Sequence, residues 1–252
     1  MKFFSVLLQR IYFGWVAMWF IITMLLSYVL IMASQLLPKR RALLTTNFIL
    51  RSWSFLWGLL IGLRYRSRGK RPDLDAQPMV VVTNHNSFLD TPVSYVNLRG
   101  AFRTLAKREL IRTPVMGSIF QASGIMVDRS SAESRKESFD RMVKALSEGT
   151  SLLVYPEGTQ NRTRELLQPF FDGAFKAAVA AQVPVQPIVT VNARQLMPQA
   201  KFLKLKPGVI VQVFLEPVPT DGLSESDVEE LKERVRSLMW DQLAELDPKF
   251  PD

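Results

Sequence analysis

Apolar residues crowd the first 63 positions, and after that they come in short runs separated by polar stretches. From Ile11 to Leu37 there are 27 residues without a charge. Coiled as a helix, that run is about 40 Å long, more than the ~30 Å hydrocarbon core of a bilayer. Tyr12, Trp15 and Trp19 crowd its first half, as interfacial aromatics do, and Lys39, Arg40 and Arg41 close it. It is too long for a signal peptide, and no Ala-x-Ala-like site follows. A second apolar segment, Phe48 to Leu63, contains Arg51 and is short for a span; Trp53 and Trp57 suit an interface. Next comes the cluster Arg64, Arg66, Arg68, Lys70 and Arg71, read as a solvated linker or as a holder of anionic lipid headgroups. Basic residues flank the second segment on both sides, which disfavours a simple two-pass hairpin. The pattern predicts a helical hairpin dipping into one leaflet, or one span plus an interfacial helix.

Pro72 to Pro78 reads as a polar, proline-flanked linker. Beyond it, strand and helix patterns alternate. Strands are predicted at Met79–Thr83, Phe102–Ala106, Ile125–Val127, Ser151–Tyr155, Pro187–Val191 and Val209–Leu215. Helices are predicted near Phe88–Asn97, Pro114–Ala122, Ala132–Ser147, Gly173–Ala181 and Asp227–Leu246. Ser226 and Glu229 read as a capping box for the last helix. The expected fold is therefore α/β: a mixed, largely parallel sheet flanked by helices, behind a membrane-embedded helical hairpin. Two units follow, membrane-anchoring helices over 1–71 and an α/β domain over 72–252. Ligands of such sheets gather beyond the carboxyl ends of the strands. His85, Arg129 and Glu157 each lie just after a predicted strand, so they are expected on one rim.

Charge and composition narrow the chemistry. The 252 residues carry a net charge of +9, which suggests an anionic partner: a lipid surface, a phosphorylated substrate, an acidic carrier protein or nucleic acid. No zinc-finger spacing, RNA-binding signature or long basic tail favours nucleic acid. The chain has no cysteine and one histidine, which excludes disulfides, cysteine nucleophiles and thiolate or histidine-rich metal sites.

That single histidine stands in Asn84-His85-Asn86-Ser87-Phe88-Leu89-Asp90, at the end of a predicted strand. An imidazole titrates near neutral pH, so it can take a proton from a hydroxyl and return it. A carboxylate one short turn away can bind one ring nitrogen and leave the other free. The same stretch also reads as a loop histidine beside a helix-capping aspartate.

Three further elements follow in order: Lys107-x-x-Leu110-x-x-x-Pro114-x-x-Gly117 ending in Gly124-Ile125-Met126-Val127-Asp128-Arg129, then Val154-Tyr155-Pro156-Glu157-Gly158-Thr159, then Val183-Pro184-Val185-Gln186-Pro187-Ile188. Each is common alone; together, in this order and spacing, they are specific. Over roughly residues 79 to 217 the chain resembles the glycerolipid acyltransferases, most closely the bacterial 1-acylglycerol-3-phosphate acyltransferases.

The resemblance implies direct acyl transfer from an acyl thioester to the free hydroxyl of a lysophospholipid, giving phosphatidic acid when the acceptor is lysophosphatidic acid. The thioester, on coenzyme A or acyl carrier protein, is a co-substrate; no other cofactor and no metal are implied. His85 is the implied base and Asp90 orients it. Lys107 and Arg129 are implied phosphate cations, Arg129 alternatively pairing with Asp128. Glu157, Gly158 and Thr159 shape the glycerol side of the pocket, Glu157 accepting from substrate hydroxyls and nearby backbone amides holding an oxyanion. Met116, Phe120 and Met126 are candidates to line an acyl tunnel. The resemblance further implies a place on the cytoplasmic face of the inner membrane, among membrane lipids. Ser87 reads as a helix-start residue, and no Gly-x-Ser-x-Gly elbow is present. Two positions depart from the family's pattern: Gln160 where arginine is common, and Asp172 where lysine is common. Both remove positive charge, which raises the standing of a zwitterionic lyso-lipid or a lyso-ornithine lipid as acceptor. A hydrolase in which His85 activates water and a non-catalytic lipid-binding protein are the competing classes.

Overall fold

A computed structural model gives the structure over residues 2–128, 130–163, 165–198 and 204–246, with side chains described from Leu7. The uncharged run forms one helix, α1 (Lys2–Ser34), and the second apolar segment forms α2 (Lys39–Leu60). The part of α1 from Leu7 to Ser34 is long and apolar enough to cross a membrane by length and composition. The two helices run antiparallel along their full overlap. Val16, Met24 and Ile31 recur at about two-turn spacing and are buried in the seam. Polar contacts stitch it: Tyr12 Oη donates to Ile61 O at 2.7 Å, Trp53 Nε1 to Thr23 Oγ1 at 3.1 Å, and the Ser34 and Thr46 hydroxyls lie 3.3 Å apart.

The other face of α2 is buried against the rest of the protein. Asn47, for example, donates to the carbonyl of Phe102 at 2.9 Å. Of the cluster predicted as linker or headgroup site, Arg64, Arg66 and Arg68 lie in a strand, β1 (Leu63–Arg68). The sheet therefore takes in chain placed with the anchoring helices by sequence. Its alternation of buried and exposed positions was hidden because the outward residues are all arginines. The expected linker is also tied down: Leu74 is fully buried, and Asp75 pairs with Arg40.

The remaining elements are β2 (Val80–Thr83), α3 (Asp90–Asn97), β3 (Phe102–Lys107), α4 (Met116–Ser123), β4 (Gly124–Val127), α5 (Ala132–Ser147), β5 (Ser151–Val154), α6 (Gly173–Ala181), β6 (Val185–Val191), the short α7 (Ala193–Leu196), β7 (Gly208–Phe214) and α8 (Val228–Leu246). Among the described residues seven strands form one sheet in the order β1-β7-β6-β2-β5-β3-β4. Every neighbouring pair is parallel except β6 and β7. One face packs on α1–α4 through Val81, Phe102, Leu153 and Ile188; the other packs on α5, α6 and α8 through Val80, Leu152, Phe175 and Val235. Because both faces are covered, β2, β5 and β6 are buried at every position, and β2 and β5 read as short, largely apolar runs.

The start of α8 differs from expectation. A short 3₁₀ turn precedes it, and the capping box is made by Ser224 and Asp227, not by Ser226 and Glu229.

Candidate active site

The rim at the carboxyl ends of β2, β5, β3 and β4 gathers most of the candidate residues. These four strands are parallel neighbours about 4.8 Å apart, so the loops after them leave side by side. Lys107 is opposite Val127 in the β3–β4 register, which brings it beside the chain leading toward Arg129. Lys107 is exposed and makes no ion pair among the described residues. Arg129 itself lies outside the described residues. Its neighbour Asp128 is already engaged: it accepts from the Ser130 N–H at 2.9 Å and from Arg108 at 2.8 Å. The Ser130 hydrogen bonds, with Arg108 beside them, hold the Asp128 carboxyl down at about 2.

His85 follows β2, and its backbone is fixed on both sides. Its N–H donates to Glu157 Oε1 at 2.9 Å, and its carbonyl accepts from Asn161 N–H at 2.6 Å. Nδ1 lies 2.9 Å from Asp90 Oδ2, the first residue of α3. That oxygen also accepts the N–H groups of Asn86 and Ser87, at 2.6 and 2.7 Å. With two backbone donors already pointing at it, Oδ2 is placed to accept from the ring too. The hydrogen then belongs on Nδ1, and Nε2 keeps its lone pair. Asp90 has no exposed surface, whereas the His85 side chain keeps 19%. The ring stacks on Tyr155, centroids 4.2 Å apart and planes at 28°. Tyr155, which sequence reasoning passed over as a strand residue, is thus one wall of the site; its hydroxyl lies 3.2 Å from that of Thr91.

Glu157 is buried, and both of its oxygens are spent on backbone: Oε1 on His85 and Oε2 on the N–H of Gln168 at 2.8 Å. Burial raises its pKa to about 7, against those hydrogen bonds. The carboxyl is therefore a strut between the His85 loop and the loop carrying Gln168. Gly158 has φ +71°, the left-handed region that a side chain disfavours, and its N–H closes a turn onto Tyr155 O at 2.9 Å. That amide is committed to the turn, which counts against it as an oxyanion donor. Thr159 is exposed beside them. Ser87 is fully buried, its hydroxyl donating to Met197 O at 2.9 Å, as suits a helix-start residue.

A cleft of about 770 Å³ opens beside Tyr155 and Pro156, between α5 and α6 on the sheet. Its walls include Leu105, Phe139, Met142 and Val179, with Lys136 and Lys176 among the residues around it. None of Met116, Phe120 and Met126 lines it. Asp172 does, and it accepts from Lys232 of α8 at 2.9 Å, an ammonium it shares with Glu229 at 2.6 Å. On the opposite face, Phe20 of α1 meets Phe88, three residues past His85, at 6.0 Å between centroids. Among the described residues no three histidine, cysteine, aspartate or glutamate side chains are grouped to hold a metal ion.

A mixed α/β sheet carries a His–Asp pair on its rim, with two packed helices at its side. The model of the acyltransferase family matches residues 64–191, and the chain belongs to that family. Among curated relatives, human 1-acyl-sn-glycerol-3-phosphate acyltransferase alpha is 36% identical over 182 residues, 71% of this chain and 64% of the human protein. The chain thus spans just under two thirds of that relative's length. The Salmonella typhimurium 1-acyl-sn-glycerol-3-phosphate acyltransferase is 28% identical over 77% of this chain and 78% of its own. The crystal structure of the 1-acyl-sn-glycerophosphate acyltransferase from Thermotoga maritima superposes over 100% of both chains with a TM-score of 0.79 at 21% identity, a likeness of fold.

Proposed function

We propose that this protein is a membrane-associated O-acyltransferase that moves an acyl chain from a thioester, on coenzyme A or on acyl carrier protein, to the free hydroxyl of lysophosphatidic acid, giving phosphatidic acid. The observation that carries it is the hydrogen bond between His85 Nδ1 and Asp90, on an imidazole whose side chain keeps 19% exposure. In this reading Nε2 takes the proton of the acceptor hydroxyl as its oxygen attacks the thioester carbonyl. The tetrahedral oxyanion collapses, the carbon–sulfur bond breaks, and the imidazolium returns the proton to the leaving thiolate. Asp90 steadies the positive ring meanwhile. Lys107 and Arg129 hold the acceptor's phosphate, the lysine as a point charge and the arginine by a two-pronged contact. The names of the relatives support this acceptor.

Membrane association follows the outward face of α1, where Ile11, Ile21, Leu26 and Val29 are exposed, continued by Phe55 and Leu59 of α2. Because α1 is docked along α2, and α2 on the sheet, a crossing of the bilayer would draw Lys39, Arg40 and Arg41 and the body of the protein with it. A helix pair seated in one leaflet on the cytoplasmic side satisfies both the apolar face and the docking.

The test is acyl transfer to lysophosphatidic acid by the purified protein, scored by product mass, with both donor classes. His85→Ala is expected to lower the rate by at least ~100-fold. A wild type inactive with every lyso-lipid and donor, yet able to bind lipid, overturns the enzyme reading.

A further inference from the structure

Gln212 stands within β7 with no exposed surface, an amide among the valine, isoleucine and phenylalanine residues of that strand. A buried amide costs free energy unless its groups are paired, and here they are. Nε2 donates to Ser94 Oγ and to Thr190 Oγ1, both at 3.0 Å, and Oε1 accepts from Asn97 Nδ2 at 3.0 Å. Each partner leads to the site. Ser94 sits one helical turn after Asp90 and donates to its carbonyl at 2.8 Å. The backbone of Thr190 is clasped by the side chain of Asn84: its N–H donates to Asn84 Oδ1 at 2.7 Å, and its carbonyl accepts from Asn84 Nδ2 at 2.9 Å. Asn84 precedes His85 in the chain, and Asn97 ends α3. One side chain therefore ties both turns of α3, and through Thr190 the residue before the histidine, to the β6–β7 pair. Ser94, Thr190, Asn97 and Asn84 are all buried.

We propose that Gln212 is a positioning residue for the reaction: through Ser94 and Thr190 it sets the seat of α3 over the sheet, and with it the separation of Asp90 from His85. The inference rests on the reading of His85 as the base. Val93 and Tyr95 pack α3 into the core, but apolar contacts tolerate small slides, whereas a fully paired buried network admits one arrangement. Displacing a reacting group by about 1 Å costs on the order of 100-fold in rate, so this tether bears on turnover more than on substrate affinity.

The experiment uses Gln212→Met, which keeps length and removes the amide, and Ser94→Ala, a milder cut of the same chain of bonds. Both are assayed for acyl transfer to lysophosphatidic acid, for thermal unfolding, and by ¹⁵N spectra of the imidazole, which is a single pair of signals because the chain has one histidine. Expected for Gln212→Met is a kcat lower by roughly 10- to 100-fold with KM for the acceptor changed by less than about threefold, and displaced imidazole signals. Ser94→Ala moves kcat and spectrum the same way, and the double variant is no worse than Gln212→Met. A folded Gln212→Met with the wild-type kcat and spectrum overturns the proposal, as does a loss that matches the unfolded fraction with the spectrum unchanged. If Gln212→Met does not fold, Ser94→Ala decides alone, and wild-type behaviour there overturns the proposal. If His85→Ala keeps full activity, the reading of the base fails and this inference with it; if His85→Ala is inactive while the Gln212 and Ser94 variants match wild type, only the inference fails.

Discussion

Oδ2 of Asp90 sits 2.9 Å from Nδ1 of His85 while accepting two backbone N–H groups from the loop between them. The carboxylate thus folds the loop and orients the ring with the same atom. In Asp90→Asn the amide oxygen can take the place of Oδ2 and keep the loop and ring contacts, but the negative charge that steadies a protonated ring is lost. The expected loss in kcat is on the order of 10²- to 10⁴-fold, with the fold retained by circular dichroism. Activity within threefold of wild type would mean that the pair has no part in turnover.

Glu157 gives a pH dependence with an unusual sign. Burial lifts its pKa to about 7, above its unfolded value near 4.5, so between these limits the folded state holds more protons than the unfolded one. Its contribution to stability is therefore greatest in acid and is lost as pH rises from about 4.5 to about 7. Melting temperatures of wild type should fall more steeply across that window than those of Glu157→Gln. The variant should also be less stable overall near pH 5, because its amide nitrogen faces the N–H of either His85 or Gln168. Parallel melting curves would refute the assignment.

Lys107 is exposed on the rim without an ion pair among the described residues. Lys107→Ala should raise KM for lysophosphatidic acid roughly tenfold, the scale of one charge-assisted contact, with little change for a phosphate-free monoacylglycerol. Arg129→Ala is expected to behave alike. Equal effects on both acceptors would remove the phosphate role.

Leu26 and Val29 of α1 are each 63% exposed and face away from α2. Replacing both with glutamate places charge on the proposed lipid face without disturbing the seam. Flotation with vesicles should show the double variant released from anionic liposomes, with an unchanged circular dichroism spectrum. Full retention on the vesicles would place the membrane contact elsewhere.

Gly117 closes the motif that begins at Lys107. A Cβ there would run into the carbonyl oxygen of Ile111, a backbone atom with little room to move. Gly117→Ala should cost about 1–3 kcal/mol, read as a lowered melting temperature.

What the chain disclosed in advance depended on whether a feature was local. The strands β2 and β5 and helices α5 and α6 were legible because burial on both faces writes short, largely apolar runs and an amphipathic helix writes its own period. The pairing of His85 with Asp90 was legible because five residues span one tight turn. β1 was not: its outward positions are Arg64, Arg66 and Arg68, so its alternation looked like a charged linker. Tyr155 and Gln212 were missed because their partners lie 70 and 118 residues away from them, at His85 and Ser94. The backbone contacts of Glu157 were not legible because nothing in its sequence neighbours reveals that the N–H groups of His85 and Gln168 would meet its two oxygens.

The contact of Phe20 with Phe88 bears on how the protein can be handled. Phe20 also packs edge-on against Trp53 and Trp57, at 5.6 and 5.4 Å. Trimming the first helix to gain solubility would uncover two indole rings and strip the support beneath the loop that carries the histidine. The greasy end is thus part of the working machine, and a shortened version without it would be expected to clump and to idle.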